Sequence, residues 1–151
     1  MTELQMKDTR PRRSRDTDSI RTPGAVYDIL NREFDFDDDP CPLRGNGGLS
    51  REWGDRVYMN PPYSNPLPWC EKAVVEMRNG KLVVALLRGD TTTGWFHTYV
   101  LPCATEIRFI RGRIRFEGAR PNHGNIIVIW DGRVKQNGCR IGDPIMAGDL
   151  R

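Results

Sequence analysis

The chain has 151 residues, enough for one domain with a hydrophobic core and too few for two domains of ordinary size. Its formal net charge is +3, from 23 Lys and Arg against 20 Asp and Glu, which does not by itself indicate nucleic-acid binding, although most of the cations are arginine. Four dispersed cysteines match no zinc or redox motif and indicate the reduced thiols of a cytoplasmic protein. No apolar run is long enough for a membrane span or for a signal peptide.

The chain begins with a polar segment that has no hydrophobic period, so residues 1–20 are predicted to form a flexible basic arm. Its arginines are interleaved with proline, serine and aspartate: Arg10, Arg12, Arg13 and Arg15. Such a run can contact phosphate, but its mixed charge favours a solvated segment. We therefore divide the chain into this arm, a folded domain at residues 21–131 and a polar, glycine-containing tail at residues 132–151.

Folded structure is predicted to begin at Thr22 and Pro23, because a hydroxyl residue at the N-cap followed by proline at the first helical position is a strong start signal. Apolar residues then recur on one helical face: Ala25, Val26, Ile29 and Leu30. The alternating residues 34–37 predict a short strand that ends at Asp39 and Pro40. A loop rich in glycine, proline and asparagine follows at residues 40–48.

The most informative segment is the tetrapeptide Asn60-Pro61-Pro62-Tyr63. It follows the apolar run 57–59, which predicts a buried strand, so it lies where open α/β sheets bind ligands. Asn60 offers an amide oxygen, the prolines hold a backbone carbonyl rigidly, and Tyr63 offers an aromatic face. Two acceptors and a stacking ring suit a planar exocyclic amine, because they stabilise the positive charge that grows as its nitrogen attacks a methyl group. The structural alternative is a plain Pro-Pro turn that ends the strand.

The rest of the chain alternates between helical and strand patterns. Helices are predicted over residues 66–77 and after Thr93, and strands over residues 82–87, 106–110, 113–116 and 126–130. The two strands on either side of Gly112 would form a hairpin. This alternation predicts an α/β fold. Roughly twenty residues separate Asp39 from Asn60, whereas one βαβ unit takes about thirty, so the central sheet is predicted to be shortened.

Residues 48–64, together with Trp69, resemble the phage-type DNA N6-adenine methyltransferases. Further matching segments flank this stretch in the expected order: residues 22–23, 36–41, 83–87, 93–97 and 112–116. The resemblance covers roughly residues 20–131 and is far more specific than any single motif. It implies a compact Rossmann-like methyltransferase fold, S-adenosyl-L-methionine as methyl donor and adenine in double-stranded DNA as acceptor. It also implies a phage or prophage protein in the cytoplasm of a bacterial host.

The resemblance also assigns roles to individual residues. It makes Asn60, Pro61, Pro62 and Tyr63 the catalytic residues, which receive a flipped adenine. It places five residues at the cofactor: Thr22, Pro23, Asp39, Pro40 and Cys41. Asp39 would bind the ammonium group of the cofactor's methionine part. A solvated acidic turn at residues 35–39 and simple helix capping by Thr22 are the alternatives.

Three arginines beside the turn at Gly112 are candidates for DNA binding: Arg111, Arg113 and Arg115. They would contact phosphates or hold the duplex open where a base has been extruded. An exposed hairpin edge protected by charge is an equal alternative. His97 and His123 lack the spaced partners of a metal site, so no metal is predicted.

The sequence therefore predicts an S-adenosylmethionine-dependent DNA adenine-N6 methyltransferase. The same loop would also serve amino groups in RNA or glutamine side chains of proteins, which are the alternative acceptors. A catalytically inactive DNA-binding relative is the non-enzymatic alternative, because the segment before Asn60 is short. After the strand at residues 82–87, the segment 88–90 differs from relatives, which tend to have a proline and a small residue there. Nothing in the sequence indicates an oligomeric state.

Overall fold

The computed structural model describes residues 22–42, 47–116 and 123–150, so the predicted arm at residues 1–20 lies outside the described residues. The helices are α1 (Gly24–Phe34) and α2 (Leu67–Arg78), with a π-helical segment at Phe96–Val100 and a 3-10 turn at Ala147–Leu150. The strands are β1 (Arg56–Met59), β2 (Leu82–Arg88), β3 (Glu106–Arg111), β4 (Asn125–Asp131), β5 (Arg140–Ile141) and β6 (Ile145–Met146).

The strands form one mixed sheet. Its order is β1-β2-β4-β3-β5, and β6 pairs with β3 beside β5. β1 and β2 run parallel, whereas β4 runs antiparallel to both of its neighbours, β2 and β3. The parallel pair joined by the crossover through α2 is the βαβ unit that the alternating pattern predicts.

The core consists of two apolar layers, one on each face of β2. Every residue of β2 from Leu82 to Leu87 is buried, because helices cover both faces of this central strand. Val83, Ala85 and Leu87 pack against α2 and the π-helical segment. The intervening side chains of β2 pack with Val26 and Leu30 of α1. The sheet is therefore held between α2 on one face and α1 on the other.

The short strand predicted at residues 34–37 is wrong. Helix α1 continues to Phe34, and Asp35 then adopts a left-handed conformation with φ 51°. Only Asp38 pairs with β1, through a single parallel bridge to Val57. The side chains of Asp37 and Asp38 accept hydrogen bonds from backbone N–H groups of residues 54–56, so local side-chain bonding replaces a longer strand ladder.

The predicted hairpin around Gly112 is also wrong, because residues 113–115 are not part of a strand. β3 already pairs with β4 along one edge and with β5 and β6 along the other. No free edge of β3 is left for a hairpin partner, and Gly112 turns the chain away with φ 88°. The predictions for α2, β2 and β4 are confirmed.

The predicted α/β class is confirmed: helices pack on a mixed sheet whose parallel pair, β1 and β2, is joined through α2. Between α1 and β1, the described residues contain a single β-bridge in place of further strands. Within the described ranges, no helix has the length and apolar character needed to cross a membrane.

Candidate active site

The Asn60-Pro61-Pro62-Tyr63 loop leaves the sheet at the carboxyl end of β1, as the sequence predicts. The last three residues of β1 are fully buried, so the start of the loop is anchored in the core. Pro61 is buried, and Asn60 and Tyr63 are half-buried. The Asn65 N–H donates to the Pro62 carbonyl at 3.3 Å, which closes a turn before α2. The loop is thus a rigid corner between a central strand and a helix.

Thr22 is a partner of this loop and not a helix cap. Pro23 occupies the N-cap of α1 and makes no side-chain cap hydrogen bond. The Thr22 hydroxyl instead accepts a hydrogen bond from Asn60 Nδ2 at 3.0 Å and lies 2.8 Å from the Tyr58 hydroxyl. Because Nδ2 is engaged by Thr22, the Asn60 amide has one orientation, with Oδ1 on the opposite side of the group.

Two of the aspartates in the acidic segment have structural roles. Asp38 forms a bidentate ion pair with Arg51, with both N···O distances at 2.8 Å, and accepts the Gly54 N–H at 2.9 Å. The Arg51 hydrogen bond holds the pKa of Asp38 below its ordinary value. Asp37 accepts the N–H groups of Asp55 and Arg56. These two carboxylates therefore fix the entry to β1.

Asp39 lies at the end of the acidic segment, next to the buried Pro40. Its Oδ1 accepts the Cys41 N–H at 3.0 Å. Partial desolvation raises the pKa of Asp39, and the charge of Asp38 adds to this effect. Burial raises the pKa of the Cys41 thiol well above its ordinary value, so Cys41 is a protonated packing group and not a nucleophile.

The Tyr58 hydroxyl is the common neighbour of the predicted residues. Burial raises the pKa of this phenol well above its ordinary value, the Thr22 hydrogen bond opposes the shift, and the charge of Asp39 adds to it. Thr22 contacts both Tyr58 and Asn60, and the Tyr58 N–H donates to the Asp38 carbonyl at 3.0 Å. Thr22 and the acidic segment therefore lie beside β1, next to the start of the Asn60–Tyr63 loop.

The segment around Gly48 fixes the position of Pro40, which is buried. A Cβ atom at Gly48 would overlap the Pro40 carbonyl oxygen, so only glycine permits this backbone approach. The Gly48 carbonyl accepts a hydrogen bond from the indole of Trp53 at 2.6 Å. Trp53 in turn stacks on Trp69 of α2, with ring centroids 6.4 Å apart. The acidic segment is thus tied to the same helix that follows the Asn60 loop.

Asn125 and His123 are site residues that sequence reasoning missed. Asn125 Nδ2 donates to the Tyr63 hydroxyl at 3.0 Å and to the Leu87 carbonyl at 3.2 Å. The His123 ring meets the Tyr63 ring edge-on, with centroids 4.9 Å apart. Burial raises the pKa of Tyr63, so its phenol stays neutral at physiological pH. The only sequence signal for Asn125 is a polar residue that opens the otherwise apolar run 126–130.

The three predicted DNA-binding arginines are all exposed. Arg111 ends β3, and the residues that alternate with Arg113 and Arg115 are buried in the layer that also contacts Tyr63. His123 titrates below its ordinary pKa, chiefly through burial, and the charge of Arg113 contributes. The segment that carries Arg113 and Arg115 is therefore close to Tyr63, since Phe116 meets the Tyr63 ring edge-on with centroids 6.4 Å apart. Within the described residues, no cluster of His, Cys, Asp or Glu is arranged to bind a metal.

Comparison with known proteins identifies the family of the chain. A family model described as DNA N-6-adenine-methyltransferase (Dam) matches residues 9–137. The DNA N-6-adenine-methyltransferase of Haemophilus phage HP1 is 33% identical over 116 residues, which are 67% of this chain and 67% of the relative. The enzyme of the same name from Escherichia phage T1 is 40% identical over 50 residues, 32% of this chain and 21% of the relative.

Among solved structures, a predicted O-methyltransferase from Agrobacterium tumefaciens superposes with a TM-score of 0.42 and 22% identity. The superposition covers 66% of this chain and 45% of that protein.

The mixed α/β sheet carries the Asn-Pro-Pro-Tyr loop at the carboxyl end of β1, where open α/β sheets bind ligands, and the matching family model and relatives are those of methyltransferases. Because the family model matches residues 9–137 and the Haemophilus phage relative is 33% identical, the chain belongs to the DNA N-6-adenine-methyltransferase (Dam) family. The predicted family and the predicted class of enzyme, an adenine-specific DNA methyltransferase, are confirmed.

Proposed function

We propose that the protein transfers a methyl group from S-adenosyl-L-methionine to N6 of an adenine in DNA, and that the adenine is flipped into the Asn60–Tyr63 loop. The observation that carries this proposal is the fixed Asn60 amide, held by Thr22 at 3.0 Å at the carboxyl end of β1. Asn60 Oδ1 and the Pro61 carbonyl accept the two N–H bonds of the adenine amino group. Tyr63 stacks on the ring of the flipped base.

The catalytic contribution of the loop is electrostatic. The amino nitrogen of adenine is a poor nucleophile, because its lone pair is delocalised into the ring. Two acceptors favour the pyramidal nitrogen and stabilise its developing positive charge, and no side chain needs to remove a proton before transfer. The two prolines keep the carbonyl in place, and Thr22 keeps the amide in place, so little reorganisation accompanies the reaction.

The residues near Tyr58 fit the methionine end of the cofactor. The Asp39 carboxylate is a partner for an ammonium group, and the partial desolvation that raises its pKa also strengthens its attraction to a cation. Thr22, Pro23, Pro40 and Cys41 provide neutral walls around it. Bound S-adenosylmethionine would supply an electrophilic methyl group on a sulfonium centre. Arg111, Arg113 and Arg115 contact DNA phosphates beside the flipped base.

The experiment is methyl transfer from tritiated S-adenosylmethionine to adenine-containing duplex DNA. Wild-type protein and the Asn79→Ala control, which alters an exposed asparagine at the end of α2, should label the duplex equally. Asn60→Ala should label it at least roughly a hundredfold more slowly, as expected when a preorganised oxygen ligand of the transition state is lost. RNA and a glutamine-containing protein serve as competing acceptors. Preferential label in either one, or no label in any, would refute the assignment to DNA.

A further inference from the structure

Arg88 lies at the end of β2, one strand over from the Asn60–Tyr63 loop. In β2, Leu82, Val84 and Leu86 face α1, so alternation along the strand puts Arg88 on the same face. Its partner across the β2–β4 ladder is Asn125, the residue that binds the Tyr63 hydroxyl. Arg88 is therefore a direct structural neighbour of the predicted base-stacking ring.

The guanidinium of Arg88 is incompletely bonded. Its Nε is buried and has no hydrogen-bond partner within the described residues, and the same holds for Oδ1 of Asn125 opposite it. Asp90 is the nearest acidic residue along the chain, but its carboxylate accepts the N–H and hydroxyl of Thr92 at 3.1 and 2.7 Å. Leaving a charged donor buried and unpaired is unfavourable, so the Arg88 side chain has hydrogen-bonding capacity that the protein alone does not use.

Arg88 and Tyr63 line the same open pocket. Its other walls are Pro66, Leu87, Asp90, Thr93 and Trp95. The Tyr63 ring is held by Asn125 at its hydroxyl and by His123 at its edge, so one wall of the pocket is a fixed aromatic surface. A pocket that combines an aromatic wall with an arginine side chain is complementary to a planar heterocycle that carries a ring-nitrogen acceptor.

We infer that the Arg88 guanidinium turns toward this pocket to donate a hydrogen bond to a ring nitrogen of the acceptor adenine, and so determines which base is accepted. This inference rests on the proposed function. The two N–H bonds of N6 are used by Asn60 and Pro61, whereas the ring nitrogens of adenine are acceptors that need a donor. A guanidinium is always protonated, so it presents its N–H at every physiological pH.

The test combines one protein variant with three substrate analogues. Duplexes carry adenine, 1-deaza-, 3-deaza- or 7-deaza-adenine at a methylated position, and single-turnover rates are measured with wild type and Arg88→Met. We expect one analogue to lower the wild-type rate roughly tenfold or more, the effect of losing a hydrogen bond to a charged group. Arg88→Met should lower the rate on adenine by a similar factor. The rate of this variant should be the same on that analogue as on adenine, because the hydrogen bond is already absent.

Controls separate this role from a structural one. Arg78→Met, at an exposed arginine of α2, should behave as wild type. The unfolding temperature of Arg88→Met should equal or exceed that of wild type, because an unpaired buried donor is removed, and its KM for S-adenosylmethionine should be unchanged. Arg88→Gln provides a second variant with a polar side chain. Like Arg88→Met, it should be slower on adenine and lose nothing further on the sensitive analogue.

The outcomes separate a failure of the inference about Arg88 from a failure of the proposed function. If wild type methylates adenine but the effects of Arg88→Met and of every analogue simply multiply, Arg88 does not contact a ring nitrogen and the inference is overturned. The same holds if Arg88→Met acts as wild type on adenine. If wild type methylates no adenine, the proposed function fails, and this inference fails with it.

Discussion

Replacing Thr22 by valine tests how the amide of Asn60 is held. The substitution keeps the shape of the side chain and removes the hydroxyl that contacts both Asn60 Nδ2 and the Tyr58 hydroxyl. Tyr58 is only 1% exposed, so its hydroxyl loses a partner that water cannot replace. An unpaired buried hydroxyl costs about 1–3 kcal/mol, and the loss should appear as a lower free energy of unfolding in urea.

The same variant should slow catalysis by a calculable amount. One neutral hydrogen bond is worth about 0.5–1.5 kcal/mol, so if the full value is lost in the transition state, the methylation rate falls roughly 2- to 13-fold. Single-turnover methylation at saturating S-adenosylmethionine measures this rate. Thr22→Ser keeps the hydroxyl and should restore both rate and stability. A valine variant that is destabilised yet as fast as wild type would refute the claim that Thr22 orients Asn60.

Three further predictions concern the surroundings of the loop. Gly48→Ala should displace Pro40, lower the unfolding free energy by about 1–3 kcal/mol and weaken binding of S-adenosylmethionine in calorimetric titration. Asp38→Asn should destabilise the protein at neutral pH by about 2 kcal/mol, because a bidentate ion pair with Arg51 is broken. Because folding lowers the pKa of Asp38, the difference in unfolding free energy between wild type and Asp38→Asn should persist above about pH 4 and shrink as the pH falls further. Urea unfolding at several pH values measures this difference. Arg113→Gln should weaken DNA binding at all sequences and reduce the salt dependence of log K by about 1.

Each of these predictions has a control and a contradicting result. Gly148→Ala has space for its methyl group and should change neither stability nor cofactor binding. If it is as harmful as the change at Gly48, the close approach to Pro40 is not the cause. An Asp38→Asn penalty that is equal at pH 7 and pH 3 would show that the carboxylate charge is irrelevant. Arg78→Gln is the reference for the slope of log K against log salt concentration. If Arg113→Gln has the same slope as this reference, Arg113 does not contact a DNA phosphate.

The local parts of the fold and site were predictable because they depend on neighbouring residues. The continuous apolar run at residues 82–87 predicts a strand that is covered on both faces, and the structure has β2 there. The periodic residues 66–77 predict α2 to within a residue at each end. The position of Asn60 beyond β1 also followed from sequence, because a short apolar run before a Pro-Pro pair ends as a strand.

The errors arose where long-range partners override local signals. Thr22 has the pattern of a helix cap, yet its hydroxyl bonds to Tyr58 and Asn60, which are 36 and 38 residues away in sequence. Residues 113–116 have an alternating pattern, but both edges of β3 are occupied by other strands. Asn125 was missed because its function depends on the register between β2 and β4, which no local pattern specifies.

The most direct test of the central claim is nucleoside mass spectrometry of duplex DNA after incubation with the protein and S-adenosylmethionine. The account predicts N6-methyl-2′-deoxyadenosine as the product with wild type, and a strongly reduced amount with Asn60→Ala. Methylated cytosine as the product, or equal N6-methyladenine from both proteins, would contradict it.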